Sequence, residues 1–114
     1  MLPKPHRLLR EKDFQKIWGR GRSFYAKSLG FRLLKNNLDI SRFGIVIGNK
    51  ISKKATARNK IKRQLREIIR LKLNQIAPGY DLILIALPSI LGKTYRELEA
   101  EAISALRYFK LLKK

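Results

Sequence analysis

Thr56-Ala57-Arg58-Asn59-Lys60-Ile61-Lys62-Arg63-Gln64-Leu65-Arg66-Glu67-Ile68-Ile69-Arg70, followed beyond Pro78-Gly79 by Leu82-Ile83-Leu84-Ile85-Ala86-Leu87, is the stretch that decides the fold. At about 100° per residue, Ile61, Leu65, Ile68, Ile69 and Ile76 fall on one arc of a helical wheel, which predicts a helix with one buried side. Pro78-Gly79 closes that helix. The apolar run after it does not alternate, which predicts a central strand covered on both faces.

Working outward, Phe43-Gly44-Ile45-Val46-Ile47 reads as a second buried strand, preceded by a turn at Asn36-Asn37 and Asp39. From Ser23 to Leu34 lies a β region in which Leu29, Phe31 and Leu33 alternate with Gly30 and Arg32. Phe14, Ile17 and Trp18 share the i, i+3, i+4 spacing of a short helix from Glu11 to Trp18, ended by Gly19 and Gly21 through the left-handed conformation. A last helix begins at Thr94, with Glu97 completing a capping box and Leu98, Ala102, Ala105, Leu106 and Phe109 on its core face. There is no internal repeat or long linker. The expectation is a single α+β domain over 1–114, in the order α-β-β-(β)-α-β-α, with residues 1–7 loose.

Of 114 residues, 27 are Lys or Arg and 8 are Asp or Glu, a net charge of +19, while the hydrophobic content of 45% is that of an ordinary globular protein. So large an excess of one sign repels itself unless something anionic is bound, and nucleic acid comes before an anionic membrane as that partner. Without cysteine there is no disulfide, thiolate zinc site or cysteine nucleophile. The lone His6 sits between prolines and arginine, a poor place for a general base. A two-metal nuclease needs clustered carboxylates, yet Glu11, Asp13, Asp39, Glu67, Asp81, Glu97, Glu99 and Glu101 are scattered along the chain. No run has signal-peptide or membrane-spanning length. The expectation is a cytoplasmic protein that binds no membrane and makes or breaks no bonds with its own side chains.

The charge is concentrated. Lys50, Lys53, Lys54, Arg58, Lys60, Lys62, Arg63, Arg66, Arg70 and Lys72 are opposed within their segment only by Glu67, a local balance of +9. Asn59, Lys62, Arg63, Arg66 and Arg70 form a stripe roughly 100° wide beside the apolar arc. A solvated helix face is the plain alternative. Against it, exposed helices usually intersperse acids in i,i+4 pairs. The helix N-terminus also carries Lys53, Lys54, Arg58 and Lys60, where each cation opposes the macrodipole by about 0.3–1 kcal/mol at low salt. An anion at that end, such as a phosphate, would reverse the penalty.

The run from Lys50 to Glu67 resembles the signature of the bacterial ribonuclease P protein subunit, in which a lysine-rich turn and an alanine lead into Arg-Asn-x-x-Lys-Arg on a helix. Here these are Lys53-Lys54-Ala55 and Arg58-Asn59-x-x-Lys62-Arg63. Asp13-Phe14 in a short first helix, the glycine after it, the aromatic β region and the Asp81-Leu82 strand follow in family order. The resemblance implies that the partners are the catalytic RNA of ribonuclease P and precursor tRNA, not DNA. It implies that the 5′ leader is cut with Mg2+ held mainly by RNA, and that the protein strengthens precursor binding without catalytic or metal-ligating residues of its own. Lys50, Lys53, Lys54, Arg58, Asn59, Lys62, Arg63, Arg66 and Arg70 would face the RNA.

The family's cleft between the sheet and the first helix implies a leader-binding role for Phe14, Trp18 and Phe31, with Phe24 and Tyr25 nearby candidates. Read from spacing alone, an i, i+4 aromatic pair is more often core packing than a binding platform, and Phe31 leans to core even with the resemblance. Ser52 and Lys53, where a glycine is common, and Trp18, where phenylalanine is usual, depart from the family pattern. Chirality rules favour a right-handed strand–helix–strand crossover; the resemblance implies the rarer left-handed one. A structural RNA-binding protein with no processing role is the main alternative, followed by a DNA-binding regulator and a protein-only nuclease.

Overall fold

A computed structural model describes residues 2–113. It contains helix α1 (Glu11–Arg20), strands β1 (Arg22–Tyr25), β2 (Leu29–Lys35) and β3 (Arg42–Val46), helix α2 (Ala55–Lys72), strand β4 (Tyr80–Ala86) and helix α3 (Tyr95–Tyr108). Short 3-10 turns occupy Lys4–His6, Leu73–Gln75 and Pro88–Ile90. The four strands form one sheet in the order β1-β2-β4-β3. β1 and β2 make an antiparallel hairpin, β2 pairs antiparallel with β4, and β3 runs parallel to β4. A parallel pair needs a crossover, and α2 supplies it.

The non-alternating run falls on β4, and both of its faces are covered. Leu82, Leu84 and Ala86 join the large core that α2 and α3 complete with Ile61, Leu65, Ile68, Ile69, Leu98, Ala102, Ala105 and Leu106. Ile83 points the other way, into a smaller cluster with Leu8 and Ile17 beneath α1. The sheet is thus sandwiched between α1 and the α2–α3 pair. The capping box of α3 is formed: Thr94 Oγ1 accepts from the Glu97 N–H at 3.2 Å, and Glu97 Oε1 accepts from the Thr94 N–H at 3.0 Å.

Three expectations are corrected. Residues 2–7 are not loose: Leu2 is buried in the main core, and Arg7 bridges to Phe43. His6 Nδ1 lies 2.8 Å from the Ser41 carbonyl. The prolines that suggested a free tail instead shape a turn that returns Leu2 to the sheet; Met1 lies outside the described residues. Second, α2 stops at Lys72 rather than reaching Pro78-Gly79. Ile76 keeps its place in the core (4% exposed) from an extended segment bridged to Leu112, so burial alone mimicked another helical turn. Third, α1 runs through Gly19, and Gly21 has an extended backbone with φ −74°. Gly21 is needed for space: a Cβ there would lie 2.6 Å from the Ile17 carbonyl oxygen and 2.8 Å from that of Leu33.

Buried polar groups join the layers. Arg42 donates from Nε and Nη2 to Asp81 at 2.9 and 2.7 Å, and from Nη1 to Asp13 at 3.4 Å. Asn36 donates to the same Asp81 carboxylate at 2.9 Å. The hydrogen bond from Asp81 is the main reason the Arg42 guanidinium is held above its ordinary pKa. At the hairpin turn, Glu101 of α3 accepts from the Ser28 and Leu29 N–H groups at 2.8 and 3.0 Å.

Candidate nucleic-acid interface

Burial of the apolar arc of α2 fixes the rotation of the helix, and that turns the neighbouring stripe to solvent. Lys50, Lys53, Lys54, Asn59, Arg63, Arg66 and Arg70 are exposed, whereas Arg58 and Lys62 are half-buried. Arg58 Nη1 donates to the Ser52 carbonyl at 2.7 Å, and the Lys54 N–H donates to Ser52 Oγ at 3.2 Å. The arginine that opens the motif therefore shapes the lysine-rich turn. That turn needs no glycine at 53, because the non-glycine residues with positive φ among the described residues are Asn37 and Lys110.

No side chain caps α2 and no acid lies in its first turn, so its free N–H groups and the positive end of its dipole open beside Lys53 and Lys54. Arg70 pairs with Glu67, and that contact holds the Glu67 carboxyl below its ordinary pKa. Asn59, Lys62, Arg63 and Arg66 have no side-chain partner among the described residues. They leave an uncompensated strip of donors suited to phosphate, which arginine can grip with two parallel hydrogen bonds.

The second surface is on the α1 side of the sheet, where strand register defines three transverse rows. Leu34, Asp81 and Arg42 make the first row, which holds the ion-pair network. Ser23, Arg32, Ile83 and Gly44 make the second, covered by α1. In this row Arg32 donates to the Ile17 and Trp18 carbonyls at 2.8 and 2.7 Å. The Phe14 ring lies so close over Gly44 that a Cβ there would come within 2.6 Å of it. Tyr25, Gly30, Ile85 and Val46 make the third row, which α1 leaves open. Ile85 and Val46 are only partly buried, and Tyr25 is 65% exposed with its ring laid against Gly30. Trp18, 42% exposed, stands on α1 at i+4 from Phe14. An apolar floor between aromatic rings, beside a strand that leads into the lysine-rich turn, has the character of a single-strand groove.

Trp18 and most of the basic stripe are exposed and Phe14 is half-buried over Gly44, but Phe31 is a correction. It is 1% exposed and packs into the main core on the opposite face. Side chains of a strand alternate, so residues 29, 31 and 33 serve the α2–α3 core, while 30 and 32 face α1. Phe24 also lies on the core side, stacked on Tyr108. Tyr25, a nearby candidate, stands at the edge of the open row. Its signal was available in the hairpin parity, because Tyr25 pairs with Gly30, but fixing that parity requires the register.

Most of the carboxylates are already engaged. Asp13 and Asp81 are held by Arg42, Glu67 by Arg70, Glu97 by the α3 cap and Glu101 by the hairpin turn. Among the described residues no group of three or more acids or histidines converges. No helix among them is long and apolar enough to cross a membrane.

The sequence matches the family model described as Ribonuclease P over residues 2–110. It is 44% identical over 103 residues to the ribonuclease P protein component of Synechocystis sp., covering 86% of this chain and 83% of that protein. Its structure superposes with a TM-score of 0.89 on a Staphylococcus aureus RNase P protein mutant with defective mRNA degradation activity (28% identity, 96% and 92% coverage). With the RNase P protein from Thermotoga maritima the TM-score is 0.82 (31% identity, 90% and 96% coverage).

Proposed function

The chain belongs to the ribonuclease P protein family, a protein component of an RNA-based endoribonuclease that partners the ribonuclease P RNA; from that premise we propose how its two surfaces divide the work. The stripe of exposed Asn59, Arg63 and Arg66 and half-buried Lys62, with Lys50, Lys53, Lys54 and the uncapped start of α2, binds phosphates of the catalytic RNA. Arg58 shapes the turn that presents them, and Arg70 contributes less because Glu67 shares its charge. The open row of Tyr25, Gly30, Ile85 and Val46, flanked by Phe14 and Trp18, receives the single-stranded 5′ leader of precursor tRNA.

The observation that carries this reading is the incomplete cover of the sheet. One face is sealed by two helices, while the other keeps an aromatic-edged row open. In this account the protein orients the precursor and offsets phosphate repulsion, and Mg2+ is held by RNA. With no converging group of three or more acids or histidines among the described residues, the protein's part is binding and positioning rather than proton transfer. The cytoplasm, where precursor tRNA is made, is the setting this function requires.

Reconstitution tests it. Purified protein added to a bacterial ribonuclease P RNA at low magnesium should give cleavage at the mature 5′ end that needs both components. RNA affinity should fall steeply with salt, as expected when about 6–10 phosphates release counterions. Tight RNA binding without stimulated cleavage, using a matched RNA, would overturn the processing role. Cleavage without RNA would overturn the assignment of chemistry to the RNA.

A further inference from the structure

The aromatic residues displaced from the groove form a second assembly on the far side of the hairpin. Tyr108, the last residue of α3, stacks on Phe24 with ring centroids 4.6 Å apart and an interplanar angle of 28°. Phe109 meets Tyr108 edge-on at 5.3 Å, and the Arg22 guanidinium lies 5.6 Å from the Phe109 ring centre. Phe109 is buried, yet Tyr108 remains 59% exposed. Its ring covers Phe24 while most of the side chain is open to solvent. Covering Phe24 would need only an aliphatic side chain, so core packing does not account for an exposed phenol ring in that position.

Two observations say what the open face fits. The first is charge. Between Asp13 and Asp39 the sequence carries Lys16, Arg20, Arg22, Lys27, Arg32 and Lys35 without one acid, and no acid follows Glu101. Of these, Arg22 lies over Phe109, and Arg107 and Lys110, both exposed, bracket Tyr108 in the chain, so an anionic chain with flat, stackable groups matches the surroundings of the ring. The second is continuity. β1 is an edge strand. Arg32 ties it to α1, donating to Ser23 Oγ at 2.6 Å and to the Trp18 carbonyl at 2.7 Å. Trp18 and Tyr25 thus stand on one face of the hairpin, Phe24 and Tyr108 on the other, and the thin free edge of β1 separates them.

We propose that Tyr108, stacked on Phe24, is a second base-stacking platform, which takes a nucleotide of the 5′ leader after the strand leaves the groove and passes the edge of β1. Arg22 and Lys110 flank its phosphates. The proposal rests on the leader reading above, and it makes leader length a variable that the protein senses at two separate places.

The test uses holoenzyme reconstituted with a bacterial ribonuclease P RNA. Affinity is measured for mature tRNA and for precursors with a ladder of leader lengths, from about two to fifteen nucleotides, in the wild type and in Tyr108→Leu, Tyr108→Phe and Trp18→Ala. Leucine keeps the cover over Phe24 and removes the ring; thermal melting of each variant checks folding. Tyr108→Leu should leave mature tRNA and short leaders unchanged and weaken the long ones about five-fold or more, the lower end of the roughly 1–3 kcal/mol found per base stacked on an aromatic ring. Tyr108→Phe should behave as the wild type. Equal affinities of Tyr108→Leu and wild type at every length would overturn the proposal, as would an equal loss for mature tRNA and all precursors. If Trp18→Ala alone distinguishes precursor from mature tRNA, the groove stands without the second platform. If only Tyr108→Leu does, the groove assignment fails and the platform stands.

Discussion

The two faces of the sheet are built to different standards. On the α2–α3 side, Leu29, Phe31, Leu33, Phe43, Leu82 and Leu84 are all buried against two long helices, and every strand contributes to one apolar layer. On the α1 side a single short helix covers only part of the sheet. One row there is an ion-pair network, one is packed and one is left open. The difference teaches where stability and recognition reside. The sealed face holds the larger buried cluster, so the other can keep an apolar row in water. The proposed RNA contacts, on the less finished face and on the solvent side of α2, lie clear of the packing that holds the fold.

The largest effect that would break this comparison is expected at the ion-pair row. Asp81 is 4% exposed and answers Arg42 through two hydrogen bonds. Breaking such a buried pair typically costs about 3–5 kcal/mol, so Asp81→Asn should lower the urea midpoint markedly while cleavage per folded holoenzyme persists. A folded, RNA-binding Asp81→Asn protein that no longer supported cleavage would place catalysis in the protein after all.

The faces themselves are compared by truncating one residue on each. Leu84, fully buried, should lose about 2–5 kcal/mol on Leu84→Ala. Val46→Ala, in the open row, should lose under about 1 kcal/mol, because a half-exposed valine buries less area. Comparable losses by chemical denaturation would mean that the open row is ordinary core. For binding, Trp18→Ala should cost about 1–3 kcal/mol of precursor affinity relative to mature tRNA. Arg63→Ala should instead weaken binding to the catalytic RNA, leaving the ratio between precursor and mature tRNA unchanged; equal losses on both tRNAs from Trp18→Ala would make it a core residue.

The smallest effect contrasts the two helix starts on the sealed side. α3 is closed by its own capping box, and Thr94→Ala should cost about 0.5–2 kcal/mol in thermal or urea unfolding. The cap holds the Glu97 carboxyl below its ordinary value of 4.5, chiefly through the hydrogen bond from the Thr94 backbone. A carboxyl with a lowered folded-state pKa stabilises above its unfolded value, and that contribution disappears as pH falls through the folded one. The difference between wild type and Glu97→Ala, which removes the carboxyl itself, should therefore shrink in acid. α2 has no such cap to lose, and a phosphate is the natural partner for its free N–H groups.

What the sequence by itself determined was whatever rests on local period and composition. The arc of α2, the non-alternating β4, the capping box at Thr94 and the charged stripe each follow from side chains within a few residues of one another, and each is present in the fold. The Arg58-Asn59-x-x-Lys62-Arg63 motif carried the family because its spacing lies on a single helix. Tertiary structure decided whatever depends on which face meets which neighbour. Phe31 and Tyr25 stand in the same β region, yet the pairing of Tyr25 with Gly30 and of Phe24 with Phe31 sends them to opposite sides. A register shift of one residue would exchange them. Leu2 in the core, Ile76 outside α2, and Arg42 between Asp13 and Asp81 come from the same source, since contacts between residues far apart in the chain leave no periodic trace in it. Helical faces are local geometry and can be read from the chain, whereas the choice between the two faces of a sheet is made only when strands pair.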